Sequence, residues 1–435
     1  MKAPTQNGID RASRTGFGVA EHGGRRSIGG RSRLCFVVPR ADGHGGLSRT
    51  VINLANHLAE SFDIELVGLL RGRNEAVFEV DPRIDVRHVM DLRPYGPDGR
   101  RRDLEQGGVD EHSRPVSRDI VFGRQQPSAI APHDPRHWAS SDQPLIETLR
   151  QLDADVVIGT TPALNRFAGR FAPAATAKVG QDHLNFPMRT HHAAQREFVR
   201  SMIESLDVFV PLTHADERDY RALMGDAGTE IVAIPNPLSW PAAKKPPRLA
   251  NKVVVAAGRF VPQKAFGRLI RAYAPLAASH PDWRLDIYGS GSTKPVLQKL
   301  IDELGIESNV ILRGYSRDMP TVLAQSSIYA LSSRFEGFPM VLLEAMSVGL
   351  PMVAYDCPRG PAETVEDGVN GRLVPDGDQA AFTAALEQLM DSKRLRRRMG
   401  AASLASAADY AMPNIVQRWT RLLARLGAQP TRAAR

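Results

Sequence analysis

The sequence predicts an α/β protein built from two doubly wound, Rossmann-like domains. Three observations carry that prediction. The chain has 435 residues, more than one hydrophobic core ordinarily organises. Apolar strand-like runs alternate with amphipathic helical runs along most of it, the pattern of parallel sheets covered on both faces. A proline- and lysine-dense stretch, "NPLSWPAAKKPPRLANK" at 236–252, interrupts the alternation and suits an interdomain linker.

Composition narrows the class. With 42% hydrophobic and 24% charged residues the chain reads as globular, and no window offers the roughly 20 apolar residues of a spanning helix. Leu34–Val38 is too short for a signal-peptide core, and the Arg-rich lead-in reads as a tail rather than a transit peptide. Cys35 and Cys357 are too few and too far apart for a disulfide framework or metal site, so a reducing, cytoplasmic setting is expected. The formal net charge of +8 is concentrated at the ends. Residues 1–33 carry +5 and residues 417–435 another +5, which leaves −2 for 34–416. That distribution speaks against a nucleic-acid-binding domain, although the tails suit peripheral contact with an anionic membrane at its inner face.

Each element follows in order. Residues 1–33 are Gly/Arg/Ser-rich and aperiodic, a basic tail expected to be disordered. The first domain, 34–235, opens with strand Leu34–Pro39 and a helix over Leu47–Ser61, whose Leu47, Val51, Leu54 and Leu58 share one face. Strand Asp63–Leu70 follows, then a polar Pro/Gly-rich stretch over 90–130 that reads as a loop or flap. Alternation resumes with strand Asp155–Gly159, helix 192–205, strand Val208–Leu212, helix 215–224 and strand Ile231–Ile234. The second domain, 253–412, reads as strands Val253–Ala257, Arg284–Tyr288, Val310–Leu312, Ile328–Leu331 and Met352–Tyr355. Between them lie helices at 265–279, 293–304, 317–325 and 339–348, with others at 378–390 and 393–408. A last helix, 413–426, opens the segment 413–435 and is expected to cross back to the first domain.

Folds of this kind bind ligands at the carboxyl ends of their strands, here in the interdomain cleft. Four strand-to-helix segments therefore matter. "PRADGHGGLSR" follows the first strand, and Gly45 and Gly46 either let backbone amides approach a ligand or simply make a tight turn. It is neither G-x-G-x-x-G nor a P-loop. "AAGRFVPQKAFGRLI" places Arg259 and Lys264 around a helix start, either a phosphate clamp or two solvated cations. "IYGSGS" offers Gly289 in a third turn. In "SSRFEGFPMVLLEAM", Pro339 suits the first helical position, leaving the Met340 and Val341 amides free at the positive end of the helix dipole. Helical side chains lean toward the N-terminus, so Glu344 reaches back toward Glu336 and both line one pocket. Hydroxyls would meet the carboxylates and an anion the amides, which suits a sugar nucleotide.

These residues resemble retaining glycosyltransferase family 4, of the GT-B fold. Glu336 to Glu344 matches its E-x7-E signature, and the likeness extends in order through "GRFVPQK", "IYGSG", "LRGYSRD", "SSRFEGFPMVLLEAMSVGLPMVA" and "NGRLVPDGD". It covers the second domain almost entirely and the first more loosely, through "GHGGLSR" and "VGQDHLNF". The resemblance implies that Arg259 and Lys264 bind the donor diphosphate and Glu344 the ribose. It places Glu336, with the Gly337 and Phe338 amides, on the donor sugar and the Met340 and Val341 amides on phosphate. It further implies that backbone near Tyr315 faces the base, that Gly45 and Gly46 complete the diphosphate site, and that His183 contacts the donor sugar. Taken by itself, His183 reads as structural rather than catalytic, and its place after the strand-like "AKVG" brings the two readings level. Two departures stand out: Ala265 occupies a position where glycine is usual, and "IPNP" replaces Asn-Gly at the linker.

The implied reaction moves a hexosyl group from a nucleotide sugar, expected to be a UDP-sugar, to a glycan, lipid-linked or cell-envelope polymer. No metal or cofactor is expected beyond the nucleotide-sugar co-substrate. Asp153-x-Asp155 copies a metal-binding pattern of another glycosyltransferase fold, but its place before a strand reads as a solvated connection. A nucleotide-sugar epimerase and a non-catalytic glycan-binding protein are the alternative functions.

Overall fold

Two sheets, parallel throughout, organise the chain. The structure, a computed structural model, describes residues 30–43, 45–93, 127–132, 137 and 139–430. Most of the expected basic tail and of the 90–130 flap lies outside these residues.

The first sheet contains β1 (Arg33–Val38), β2 (Asp63–Arg71), β3 (Asp85–Asp91), β4 (Val156–Gly159), β5 (Ala177–Gln181), β6 (Val208–Val210) and β7 (Glu230–Ile231). Its strand order is β3-β2-β1-β4-β5-β6-β7. Helices α1 (Gly46–Leu58), α2 (Ala139–Arg150), α3 (Pro162–Phe171), α4 (Phe186–Thr190), α5 (Ala193–Ile203) and α6 (His214–Met224) connect them. β1 reads "LCFVV" from Leu34 onward and is buried along that run, as a central parallel strand covered on both faces must be. Helix starts follow local chemistry: the Thr213 hydroxyl accepts the Asp216 amide at 3.0 Å and caps α6.

The second sheet repeats the winding with β8 (Val253–Ala257), β9 (Arg284–Tyr288), β10 (Val310–Gly314), β11 (Ile328–Leu331), β12 (Met352–Asp356) and β13 (Gly371–Pro375), ordered β10-β9-β8-β11-β12-β13. Its helices are α7 (Phe266–Ser279), α8 (Lys294–Leu304), α9 (Met319–Ala324), α10 (Met340–Ser347), α11 (Pro361–Thr364), α12 (Gln379–Asp391) and α13 (Lys393–Ser406). In each sheet the winding reverses beside the first strand, at β1/β4 and at β8/β11, which is where such folds open a crevice.

The segment between the domains has no regular structure, yet it is docked. The Ala243 amide donates to the Ser347 carbonyl at 2.7 Å, and the Trp240 indole donates to the Ser347 hydroxyl at 2.9 Å. Helix α14 (Met412–Arg425) leaves the second domain and buries Ile415, Trp419, Leu422 and Leu423 among Leu34, Phe36, Val51 and Leu54 of the first. Asp155 Oδ2 accepts the Arg33 amide at 2.8 Å, at the amino end of β4. The Asp153-x-Asp155 pattern therefore lies at the opposite sheet edge from the cleft loops.

Candidate active site

The two loops at the second switch point are laced together. After β8, Arg259 is exposed and its guanidinium has no partner among the described residues. The Gln263 side chain donates to the Phe335 carbonyl at 3.0 Å, and the Ser332 hydroxyl donates to the Lys264 carbonyl at 2.9 Å. Those bonds set Lys264 Nζ 2.6 Å from Glu336 Oε1, with the Ser333 hydroxyl on the same oxygen at 2.5 Å. Glu336 is 5% exposed, so its charge is stable there only because it is paired and hydrogen-bonded.

Glu344 sits on α10, 6% exposed, and the first domain supplies its counter-ion. Arg49, in the first turn of α1, donates to Glu344 Oε1, and the Ser239 hydroxyl donates to that oxygen at 2.8 Å. α1 begins at Gly45, whose φ of 110° suits glycine, and no side chain caps it, so its first-turn amides remain available beside the cleft. Each carboxylate thus has its own cation. Arg259 and the uncapped helix start leave the crevice net positive, as a diphosphate site requires.

The first domain's other contribution follows β5. The Asn185 amide nitrogen donates to the Glu336 carbonyl at 2.5 Å, and a Cβ on Gly337 would overlap the His183 carbonyl oxygen. Glycine is needed at 337 because the two backbones meet there. Burial pushes the His183 imidazole down to about 4, so it is neutral at neutral pH. Its Nε2 is buried without a hydrogen-bond partner among the described residues, a free polar atom at the domain boundary. Further out, Arg359 pairs with Asp216 at 3.2 Å and with Asp219, and Glu363 accepts the His214 and Ala215 amides at 3.0 and 2.9 Å.

Two expectations change. Pro339 is the cap of α10 rather than its first helical residue. The Met340 amide is not free: it donates to the Phe338 carbonyl at 2.9 Å, because the chain turns tightly over Pro339. The Gly289 amide is spent on the Gly314 carbonyl at 2.8 Å, so Gly289 shapes the turn and offers no donor to a ligand. The Tyr315 ring is 78% exposed, while Phe338 is buried against Tyr410. The Val341 amide has no acceptor among the described residues, and Gly46 follows Gly45 into α1. Ala265 explains the usual glycine: it caps α7 at φ 49°, in the left-handed region. Sequence reasoning missed Arg49, Asn185, Ser239 and Arg359. Arg49 and Asn185 stand inside the quoted "GHGGLSR" and "VGQDHLNF", and only their cross-domain contacts distinguish them.

Residues 242–405 match the family described as Glycosyl transferases group 1. Among solved structures, Staphylococcus aureus TarM superposes with a TM-score of 0.71 at 16% identity, over 91% of this chain and 99% of TarM. HepE of Anabaena, solved in complex with UDP, superposes with a TM-score of 0.66 at 17% identity, over 90% and 99%. The fold is GT-B. In sequence, this GT-B chain is 32% identical over 401 residues to an exopolysaccharide phosphotransferase of Streptomyces coelicolor. That match covers 91% of this chain but only 41% of the relative's length. It is also 26% identical to an uncharacterized glycosyltransferase of Haemophilus influenzae, covering 90% and 99%. Among the described residues, no group of three or more His, Cys, Asp or Glu side chains is arranged to hold a metal, and no helix is long and apolar enough to cross a membrane.

Proposed function

We propose that this chain is a retaining glycosyltransferase of family 4 that moves a hexosyl group from a UDP-sugar to a hydroxyl of a cell-envelope glycan, lipid-linked or polymer acceptor. One observation carries the reading: Lys264, Glu336 and Glu344 converge at the switch point beside unpaired Arg259 and the uncapped start of α1. A UDP-bound neighbour of the same fold and a relative named poly(glycerol-phosphate) alpha-glucosyltransferase, from Bacillus subtilis, support donor and acceptor class.

As the glycosidic bond to the donor breaks, negative charge grows on the departing diphosphate. Arg259, Lys264 and the α1 amides meet that charge where it develops, usually the largest catalytic contribution. Glu344 holds the ribose hydroxyls and Glu336 those of the donor sugar. Neutral His183 presents Nε2 to a sugar hydroxyl without adding charge. The leaving phosphate takes the acceptor's proton on the face it vacates, so no carboxylate acts as nucleophile.

The test is transfer from UDP-sugars, with products identified by mass. Wild type should hydrolyse or transfer from one donor, and Lys264→Ala should lose that activity by at least about 100-fold. Activity should persist in excess chelator, since no side chain is assigned to a metal. Interconversion of UDP-sugars without acceptor would establish an epimerase instead. Phosphoryl transfer, suggested by the Streptomyces relative's name, would show in the product mass. An inert wild type that still binds glycans would establish a binder.

A further inference from the structure

The first domain carries a second set of cations that donor chemistry does not use. They stand at the carboxyl ends of β1, β2 and β3, the edge of the sheet that faces the cleft. Arg40 follows β1 and donates to both oxygens of buried Asp42, at 3.1 and 3.2 Å. Asp42 in turn accepts the Gly72 amide at 2.7 Å and the Arg73 amide at 2.5 Å, which fixes the exit of β2. Arg71 ends β2 and donates only to carbonyls, those of Arg73 and Asn74, at 3.3 and 3.4 Å. Arg93 follows β3, forks onto Asp91 and reaches the Asn74 side chain at 3.2 Å.

Four guanidinium groups therefore share two carboxylates, Asp42 and Asp91. Arg71 has no acidic partner and the Arg73 side chain has no partner among the described residues, nor does exposed Glu75 pair with either. His88, on β3 between them, is half-buried with Nε2 unpartnered, and burial together with Arg71 holds it neutral rather than adding a fifth charge. Arg71, without an acidic partner, and exposed Arg73 thus stand over a fixed network whose His88 Nε2 is buried and unmatched, an arrangement that suits an anion.

We propose that this cluster is an acceptor subsite for an anionic group, a phosphate or a carboxylate, carried by the sugar or polyol chain that receives the hexosyl unit. The proposal rests on the glycosyltransferase reading and specifies its acceptor. Arg71 and Arg73 stand at the exit of β2 and Arg93 follows β3, one and two strands outward from the β1–α1 turn assigned to the donor, while Arg259 and Lys264 lie on the other domain at the β8/β11 switch point. β3 is two strands outward from β1, roughly 10 Å at the usual strand spacing. A charge there belongs to a neighbouring unit of an extended acceptor, not to the unit that carries the attacking hydroxyl.

Binding of three oligomers separates the outcomes: oligo(glycerol phosphate), oligogalacturonate and uncharged maltohexaose, each titrated into the full chain at rising ionic strength, with UDP as a parallel ligand. Wild type should bind at least one anionic oligomer about tenfold or more tighter than maltohexaose, and salt should erase the difference. Preference for the phosphate or the carboxylate oligomer identifies the anion. Arg73→Glu should lose about tenfold of that preference and Arg73→Lys should keep most of it, both with unchanged UDP affinity. Maltohexaose binding as tightly as the anions, or Arg73→Glu retaining the preference, overturns the subsite. Failure of wild type to bind UDP instead overturns the donor reading, and the oligomer titrations still decide the anion site.

Discussion

Arg49→Ala gives the most direct test of the donor site, because this residue joins the two domains through the carboxylate assigned to ribose. Arg49 pairs with Glu344 Oε1, their side chains being 31% and 7% exposed. Removing one partner of a fully buried pair costs about 3–5 kcal/mol, since the other charge is left uncompensated. Here water reaches the guanidinium, and the Ser239 hydroxyl would remain on the same oxygen at 2.8 Å. The cost falls to about 2 kcal/mol, or roughly 30-fold in an equilibrium.

That cost appears in nucleotide binding. Glu344 Oε2 has no hydrogen-bond partner among the described residues, so in the proposed reading it is the oxygen that accepts ribose hydroxyls. Arg49 holds Oε1 and thereby aims Oε2. Titration calorimetry with UDP should show affinity reduced about 10- to 30-fold in Arg49→Ala and by a smaller factor in Arg49→Lys. Glu344→Gln should weaken UDP as well, and the double variant should show a coupling of at least about 1 kcal/mol. UDP bound within about twofold of wild type by Arg49→Ala would refute the reasoning, as would strictly additive effects.

Three other perturbations test the geometry. Gly337→Ala drives a Cβ into the His183 carbonyl, so transfer should fall about 100-fold or more while the melting temperature moves little; normal turnover would show that closure does not require this contact. His183 binds its proton less readily folded, at about 4, than unfolded, near 6.5, so stability should fall as pH drops through that window. Asp216, raised to about 6 chiefly by burial, opposes it by favouring the fold as pH falls from 6 toward 3.8. His183→Gln should therefore flatten the acid loss of melting temperature, and an unchanged profile counts against a buried neutral imidazole. Ala265→Gly relieves a left-handed alanine and should stabilise the protein by about 1 kcal/mol in denaturant titration, whereas a destabilised variant would contradict the backbone assignment.

Strands that are buried on both faces were readable from their residues. Val253–Ala257 and Ile328–Leu331 begin and end where their apolar runs do. Helices α2 and α3 went unread between the flap and β5, and two strands were missed where the apolar signal fades. β3, "DVRHVMD", is an edge strand with three exposed positions, and β13, "GRLVP", is short and bounded by glycine and proline. Within the site, spacing placed Glu336 and Glu344 near one helix start. It was silent on their partners, because Lys264 lies 72 residues from Glu336 and Arg49 lies 295 residues from Glu344. The Met340 amide was misjudged for a local reason: a proline at the cap turns the preceding carbonyl onto it.

Those long-range partners fall into two kinds, one within the second domain and one across the cleft. Glu336 is neutralised within its own domain by Lys264, whereas Glu344 takes its counter-ion, Arg49, from the other domain, so neither carboxylate stands uncompensated at the interface. Under the proposed function, donor binding would be an exchange, in which phosphate shares Lys264 with Glu336 and ribose shares Glu344 with Arg49. Glu336 is held from both sides at once, its carboxylate by Lys264 and its carbonyl by Asn185 of the opposite domain. The carboxylate assigned to the donor sugar is thus aimed from within its own domain, while its backbone is tied to the other. In the proposed reading this tie couples sugar placement to the seating of the first domain, which would keep water from the donor until both domains enclose it.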